Sequence, residues 1–316
     1  MKPKKFDVIV VGELNVDIIL NKIESFPEMG KEKLAKEMTV TLGSSSAIFA
    51  SNLSSLGAKV AFIGKIGDDN FGKLMIDELL KKGVGVDLII KDKKTNTGAT
   101  IVLNYSEDRA MITYQGAMNN LTLKDIPMDI LVEAKHLHFS SYYLQPGMKK
   151  NVKELFQSAK TSGLTTSFDM QWDPDEKWEL NYKEVLPCVD VFLPNEQELL
   201  FLTKENSLAD AVNKITPFVN HLVVKMGSKG SLLVSKRKEI FKESFLNNNI
   251  VDAIGAGDSF NAGFIFKYVS GKDLPQCQVF GNLMGAVNTT AAGGTAAFTN
   301  YKEILKIAEE KFGYVY

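Results

Sequence analysis

The chain of 316 residues is poor in cysteine and histidine and carries almost no net charge. Its two cysteines, Cys188 and Cys277, stand far apart with no metal-ligand spacing. That excludes a disulfide scaffold and a cysteine-based zinc site, and reads as reduced thiols of a cytoplasmic protein. A net charge of −1 leaves no concentrated Lys/Arg surface, which argues against nucleic-acid or membrane partners. The apolar run Val8–Val11 is too short for a signal segment or a membrane span. No phosphate-binding Gly-x-x-x-x-Gly-Lys-[Ser/Thr] loop occurs: the nearest stretch, Gly57 to Gly64-Lys65, has six intervening residues and is followed by Ile66. No His-Glu-x-x-His occurs either. His136 and His138, two apart on an expected strand, face one side without a third ligand nearby in sequence, and read as packing residues. Internal repeats and low-complexity tracts are also missing.

What is present is an alternation. Short β-branched runs at Phe6–Val11, Val60–Ile63, His136–Phe139, Thr165–Asp169, Val189–Leu193 and His221–Lys225 are almost continuously apolar, as strands covered on both faces must be. Between and after them come helical patterns at Ala47–Leu56, Phe71–Lys82, Met148–Ser162, Leu208–Phe218, Asp258–Val269 and Gln276–Ala292. This order predicts an α/β fold with a mostly parallel central sheet flanked by helices. Residues 16–42 and 97–116 break the rhythm with strand-like pieces of polar–apolar alternation, Ala99–Tyr105 and Ala110–Tyr114 being joined by the polar turn Ser106-Glu107-Asp108-Arg109. They read as a small, half-solvated sheet inserted twice into the core, a discontinuous lid. The core is then 1–15, 43–96 and 117–316.

Chemistry concentrates in Val251 to Gly263. An apolar residue leads into Gly255-Ala256-Gly257, and an amphipathic helix follows at once. Small residues let backbone N–H groups approach an anion, and the helix N-terminus adds unpaired donors and a favourable dipole. Asp258 stands beside that pocket, where a carboxylate can accept the proton of an attacking hydroxyl. A bare Gly-x-Gly-Asp is also compatible with an ordinary turn and a helix-stabilising carboxylate.

Three other segments accompany it. Pro194-Asn195-Glu196-Gln197-Glu198 follows a strand. Asn195 is an expected N-cap, and Asn195 and Glu198 share a face, either as oxygen donors for Mg²⁺ through water or as a capping box. Lys225-Met226-Gly227-Ser228-Lys229-Gly230 is a strand–turn–strand whose backbone can lie against a nucleotide, and it also suits a plain hairpin. Near the N-terminus, Asn15 and Asp17 follow the first strand, where open α/β sheets bind ligands, and Asp17 can accept sugar hydroxyls. Gly43-Ser44-Ser45-Ser46 then opens a helix with hydroxyls, amides or simple N-capping.

In order and spacing these segments resemble the ribokinase-like (phosphofructokinase B type) carbohydrate kinases from Gly12 to about Gly294. Leu56 to Gly72 is similar to that family's first signature and Asp252 to Asp258 to its second. The resemblance implies a three-layer ribokinase-like fold with a small β-sheet lid. It implies a kinase that moves the γ-phosphate of MgATP onto a sugar hydroxyl. Asp258 would be the base, and Gly255, Ala256 and Gly257 the anion hole. Asn195 and Glu198 would form the Mg²⁺–phosphate element, with Lys225, Gly227, Ser228, Gly230 and Asn282 at the nucleotide. Asp17, Asn15, Gly43 and Ser44 would lie at the sugar. Asp252 resembles the residue beside a K⁺ site of some members, although Ala253-Ile254 replaces the common Thr-Thr. Ile48 stands where ribokinase proper has a sugar-contacting Asn, which argues against ribose. Ser167 to Asp173 resembles the Asp-Pro-Asn-x-Arg segment of fructokinases and 2-keto-3-deoxygluconate kinases, with Gln171 in the Asn place and Asp173 in the Arg place. A carboxylate there disfavours an acidic sugar and points to a neutral ketohexose such as fructose. The alternatives are a nucleoside kinase on the same fold and a non-catalytic sugar or nucleotide sensor. The lid edge implies a homodimer joined through lids.

Overall fold

A computed structural model describes residues 3–105 and 108–315. Among the described residues there are thirteen strands: β1 Phe6–Val11, β2 Asn15–Asn21, β3 Glu37–Leu42, β4 Val60–Gly67, β5 Ile89–Asp92, β6 Gly98–Tyr105, β7 Asp108–Tyr114, β8 Ala134–Ser140, β9 Thr165–Asp169, β10 Val191–Phe192, β11 His221–Lys225, β12 Ser231–Ser235 and β13 Lys238–Lys242. The α-helices are α1 Ser45–Ser55, α2 Asn70–Lys81, α3 Pro146–Lys149, α4 Val152–Thr161, α5 Tyr182–Val185, α6 Glu196–Thr203, α7 Leu208–Ile215, α8 Ala256–Val269, α9 Leu274–Asn288 and α10 Tyr301–Phe312.

Nine strands make the central sheet in the order β13-β12-β11-β10-β9-β8-β1-β4-β5. It is parallel from β11 to β5, and β12 and β13 extend it antiparallel. The expected α/β architecture is therefore present. Strand β1 shows why it is stable. Ile9 and Val11 pack into one apolar cluster with Phe139 and Phe168, while Val8 and Val10 pack into another with Phe49, Phe62 and Phe264. Alternate side chains thus supply the cores on opposite faces. Each wholly buried Leu or Phe contributes about 1.5–3 kcal/mol.

A separate four-stranded sheet, β3-β2-β6-β7, is built from the two irregular segments. Its register places Asp17, Thr41, Thr100 and Thr113 side by side on one face, and Ile18, Val40, Ile101 and Ile112 on the other. Ser106 and Glu107 of the expected turn lie outside the described residues, and Asp108-Arg109 begin β7 instead.

Some expected bounds change. The strand expected at Val189–Leu193 keeps only Val191–Phe192 in the ladder. The helix expected at Met148–Ser162 is broken before α4, where Asn151 leaves helical geometry at φ −117° and ψ 5°. Among the described residues no helix is long and apolar enough to cross a membrane.

Candidate active site

The site lies where the parallel strands end. Helix α8 begins on Gly255, at φ 74° in the left-handed region. A Cβ there would lie 2.8 Å from the Cα of Gly294, so the tight entry into the helix requires glycine. Ala256 and Gly257 open the helix, and Asp258 stands in its first turn, only 8% exposed. Burial, helped by the charges of Asp169 and Glu13, pushes its carboxyl up to about 7 against the pull of Lys225 and a hydrogen bond from Gln171.

Around Asp258 the strand ends deliver charge. Asp169 closes β9 and is wholly buried. Its Oδ2 accepts from Lys225 Nζ at 2.5 Å, Asn261 Nδ2 at 2.5 Å and Gln171 Nε2 at 3.1 Å. Burial works against the Lys225 ammonium, but the carboxylates of Asp169, Glu198 and Asp258 outweigh it and raise its pKa. Lys225, at the end of β11, is therefore a permanent cation between the carboxylate cluster and Gly257, where an added Cβ would lie 3.7 Å from Nζ.

Asn195 and Glu198 form a reciprocal capping box. Asn195 Oδ1 accepts from Glu198 N, and Glu198 Oε2 accepts from Asn195 N, both at 2.8 Å. The cap uses only one carboxylate oxygen of Glu198. Burial and Asp169 push this carboxyl well above the ordinary range, against Lys225.

Gly227, Ser228, Gly230, Ala256, Gly257 and Asn282 line one cavity of about 350 Å³, with Lys225 at its edge. Gly230, at φ 113°, passes so close to β13 that a Cβ would fall 2.0 Å from the Lys242 carbonyl. The amide of Asn282 donates to the carbonyls of Lys242 and Glu243 and so fixes that wall.

The residues expected at the sugar divide. Asp17 is the third residue of β2, inside the small sheet rather than directly off β1. Burial pushes it up to about 6, against a hydrogen bond from Asn15 and the charge of Arg109. Gly43 packs on it, and a Cβ would meet Asp17 Oδ1 at 2.2 Å. Asn15 is a brace: its amide donates to Thr100 Oγ1 at 2.9 Å and to Asp17 Oδ1 at 3.2 Å. Ser44 is the N-cap of α1, accepting from Ala47 N and donating to the Glu13 carbonyl. Asp252 accepts from Ile254 N and Gly293 N, one bond to each oxygen, and fastens two loops together. Asp173 is turned into its own loop, holding Trp178 N at 2.7 Å and Asp175 N at 3.1 Å.

A cleft of about 980 Å³ opens between Met111 and Thr113 of the small sheet and Leu144 and Trp172 of the core, and among the described residues lining it there is no Lys or Arg. His136 and His138 are buried under the site, both bonded to Ser167 Oγ at 2.7 Å.

Reading the sequence for site residues misses Glu13, Asp169 and Asn261, and it notes Gln171 only as standing in the Asn place of the Ser167–Asp173 segment. Glu13 is 1% exposed and binds the Ser45 hydroxyl and both the amide and hydroxyl of Ser46. The available signals were a carboxylate two residues beyond the end of β1, an Asp ending β9, and an Asn three residues after Asp258 on one helix face.

Three comparisons bear on this geometry. The chain matches the family described as pfkB family carbohydrate kinase over residues 5–300. It is 26% identical over 324 residues to a 5-dehydro-2-deoxygluconokinase of Lacticaseibacillus casei, covering 98% of this chain and 97% of that one. An uncharacterized sugar kinase of Archaeoglobus fulgidus is 29% identical over 239 residues, 74% of this chain and 92% of its own. Among solved structures, Arabidopsis thaliana ribokinase complexed with ribose and ATP superposes with a TM-score of 0.83 at 26% identity, covering 96% of this chain and 99% of that chain.

Proposed function

The chain belongs to the pfkB family of carbohydrate kinases, and from that premise we propose that it transfers the γ-phosphate of MgATP to a hydroxyl of a small neutral sugar, a ketohexose such as fructose foremost. One juxtaposition carries the reading. Asp258, with a carboxyl near 7, stands in the first turn of the helix whose Gly-Ala-Gly entry opens onto the cavity lined by the Gly227–Gly230 turn.

In this reading ATP occupies that cavity with its phosphates toward Ala256 and Gly257. The acceptor lies beneath the small sheet, where the Asp17 carboxylate takes its hydroxyl hydrogens. Asp258 removes the proton of the attacking hydroxyl as its oxygen bonds the γ-phosphorus, and the bond to the β-phosphate oxygen breaks to release ADP. The backbone amides at the start of α8 and the Lys225 ammonium offset the charge on the transferring group. Most of the acceleration then comes from positioning and preorganised charge.

Mg²⁺ fits the oxygen set. Glu198 has a carboxylate oxygen outside its cap, and among the described residues no three His, Cys, Asp or Glu side chains converge into an all-protein cage. An ion carried mainly by phosphate and water suits such a site, and when bound it supplies charge neutralisation. A monovalent cation beside Asp252 stays a secondary part of the proposal: each oxygen of that carboxylate holds one backbone N–H and keeps a lone pair for a cation.

The small sheet acts as a lid that keeps water from competing as acceptor. Its outer face exposes Met38 (66%), Val40 (38%), Ile101 (40%) and Ile112 (66%), a surface suited to pairing two copies of the chain. ADP release measured with fructose, ribose, inositol and adenosine, followed by NMR of the product, tests the reading. Fructose as best acceptor supports it. Adenosine as best acceptor replaces the sugar part, and no transfer to any acceptor overturns it.

A further inference from the structure

The loop after β9 carries three non-glycine residues in the left-handed region: Gln171 (φ 60°), Glu176 (φ 53°) and Trp178 (φ 54°). Such backbone is costly and persists only where the surroundings over-determine it. At Gln171 the surroundings are two carboxylates. Its Nε2 lies 3.1 Å from Asp169 Oδ2 and 3.0 Å from Asp258 Oδ1. An ionised carboxylate only accepts hydrogen bonds, so the amide must turn its nitrogen to both, and each of its two N–H groups has a partner.

We propose that Gln171 is a positioning residue for the phosphoryl transfer: its amide, anchored on Asp169, fixes Oδ1 of Asp258 and so leaves Oδ2 to receive the acceptor's proton. The inference rests on the reading of Asp258 as the base. The anchor is rigid. Asp169 is wholly buried and is held by Lys225 and Asn261 as well as by the backbone N–H of Gln171 itself at 3.2 Å. Asn261 lies on α8, one turn after Asp258. The network therefore ties the strained loop to the helix that carries the base, and a shift of either moves the carboxylate. The groups whose charge reaches Asp258 are Asp169 from β9, Lys225 from β11, Glu13 after β1 and Glu198 on α6. Gln171 is the neutral one, which sets direction without adding charge.

Gln171→Gly separates this role from a structural one. Glycine adopts φ 60° without strain, which offsets part of the lost hydrogen bonding, so the variant should fold, yet it has no amide. Gln171→Leu, which keeps side-chain bulk, serves if the glycine variant does not fold. With the best acceptor, either variant should lose tenfold or more in kcat, roughly the loss of one hydrogen bond to a charged group. The KM for ATP should stay within about twofold. The apparent pKa on the acid limb should move upward, because a bond that favours the ionised form is gone. The same shift is to be read directly by ¹³C NMR titration of carboxyl-labelled aspartate, with the Asp258 resonance identified by its loss in Asp258→Asn. That titration needs no acceptor, so it tests the contact even where the kinase reading fails. Unchanged kcat, or a lower kcat with an unmoved Asp258 pKa, overturns the proposal.

Discussion

Lys225 Nζ and Asp169 Oδ2 stand 2.5 Å apart at the ends of β11 and β9, with side chains 11% and 0% exposed. The pair holds a charge where water cannot. Lys225→Met should leave the Asp169 carboxylate buried without its cation and cost about 3–5 kcal/mol, read as a lower urea midpoint. Adding Asp169→Leu should recover much of that stability without restoring turnover. A double variant as unstable as the single one would mean that the pair does not act as a unit.

Asp258 sets the pH dependence. Its carboxyl is raised to about 7 by burial and by Asp169, so the base is lost as pH falls through that value and kcat should fall about tenfold per pH unit below it. Stability runs the other way. The raised folded pKa favours the protonated fold, so that contribution is complete below the ordinary carboxyl value of 3.8 and is lost as pH rises through about 7. The melting advantage of Asp258→Asn over the parent should therefore grow from about pH 4 to about pH 7, by at least ~2 °C, and level off above that. An advantage independent of pH would contradict the burial of an ionisable Asp258.

Gly43→Ala should imitate loss of Asp17. The added methyl would meet Asp17 Oδ1 at 2.2 Å and push the carboxylate out of place. The acceptor KM should rise about 10- to 150-fold, the scale of one hydrogen bond to a charged group, with the ATP KM nearly unchanged. A rise in the ATP KM alone would place the acceptor elsewhere.

The outer face of the small sheet should pair. Light scattering at micromolar concentration is expected to show a dimer, and Ile112→Lys, which sets a charge on a residue 66% exposed in the single chain, should dissociate it. A monomeric parent would remove the lid-to-lid arrangement.

The fold was legible where both faces of an element are buried. Phe6–Val11, Thr165–Asp169 and His221–Lys225 are strands over those same residues, because short runs rich in β-branched and apolar side chains suit strands covered on both faces. Helix α10 was missed although Asn300 caps it, Ile304 and Ala308 bury one face and Gly313 ends it at φ 64°. Its signals are short and polar. In the site, motif residues such as Asp258 and Gly255 were readable because their backbone need is local. Asp169 and Asn261 were not, and Gln171 was noted only by resemblance, because their contacts run across β9, β11 and α8 and spacing does not encode them. For Ser44 and Asn15 the sequence did not reveal their partners within the fold, the Glu13 carbonyl and the Thr100 hydroxyl.

The most direct test of the account is phosphoryl transfer by Asp258→Asn, followed by ³¹P NMR with MgATP and the best neutral sugar of the panel. The parent should convert ATP to ADP with a new phosphomonoester resonance on the sugar. The variant, folded and still binding ATP, should form that resonance about 10²–10⁴-fold more slowly. Undiminished transfer by the variant, or inorganic phosphate as the parent's only product, would contradict it.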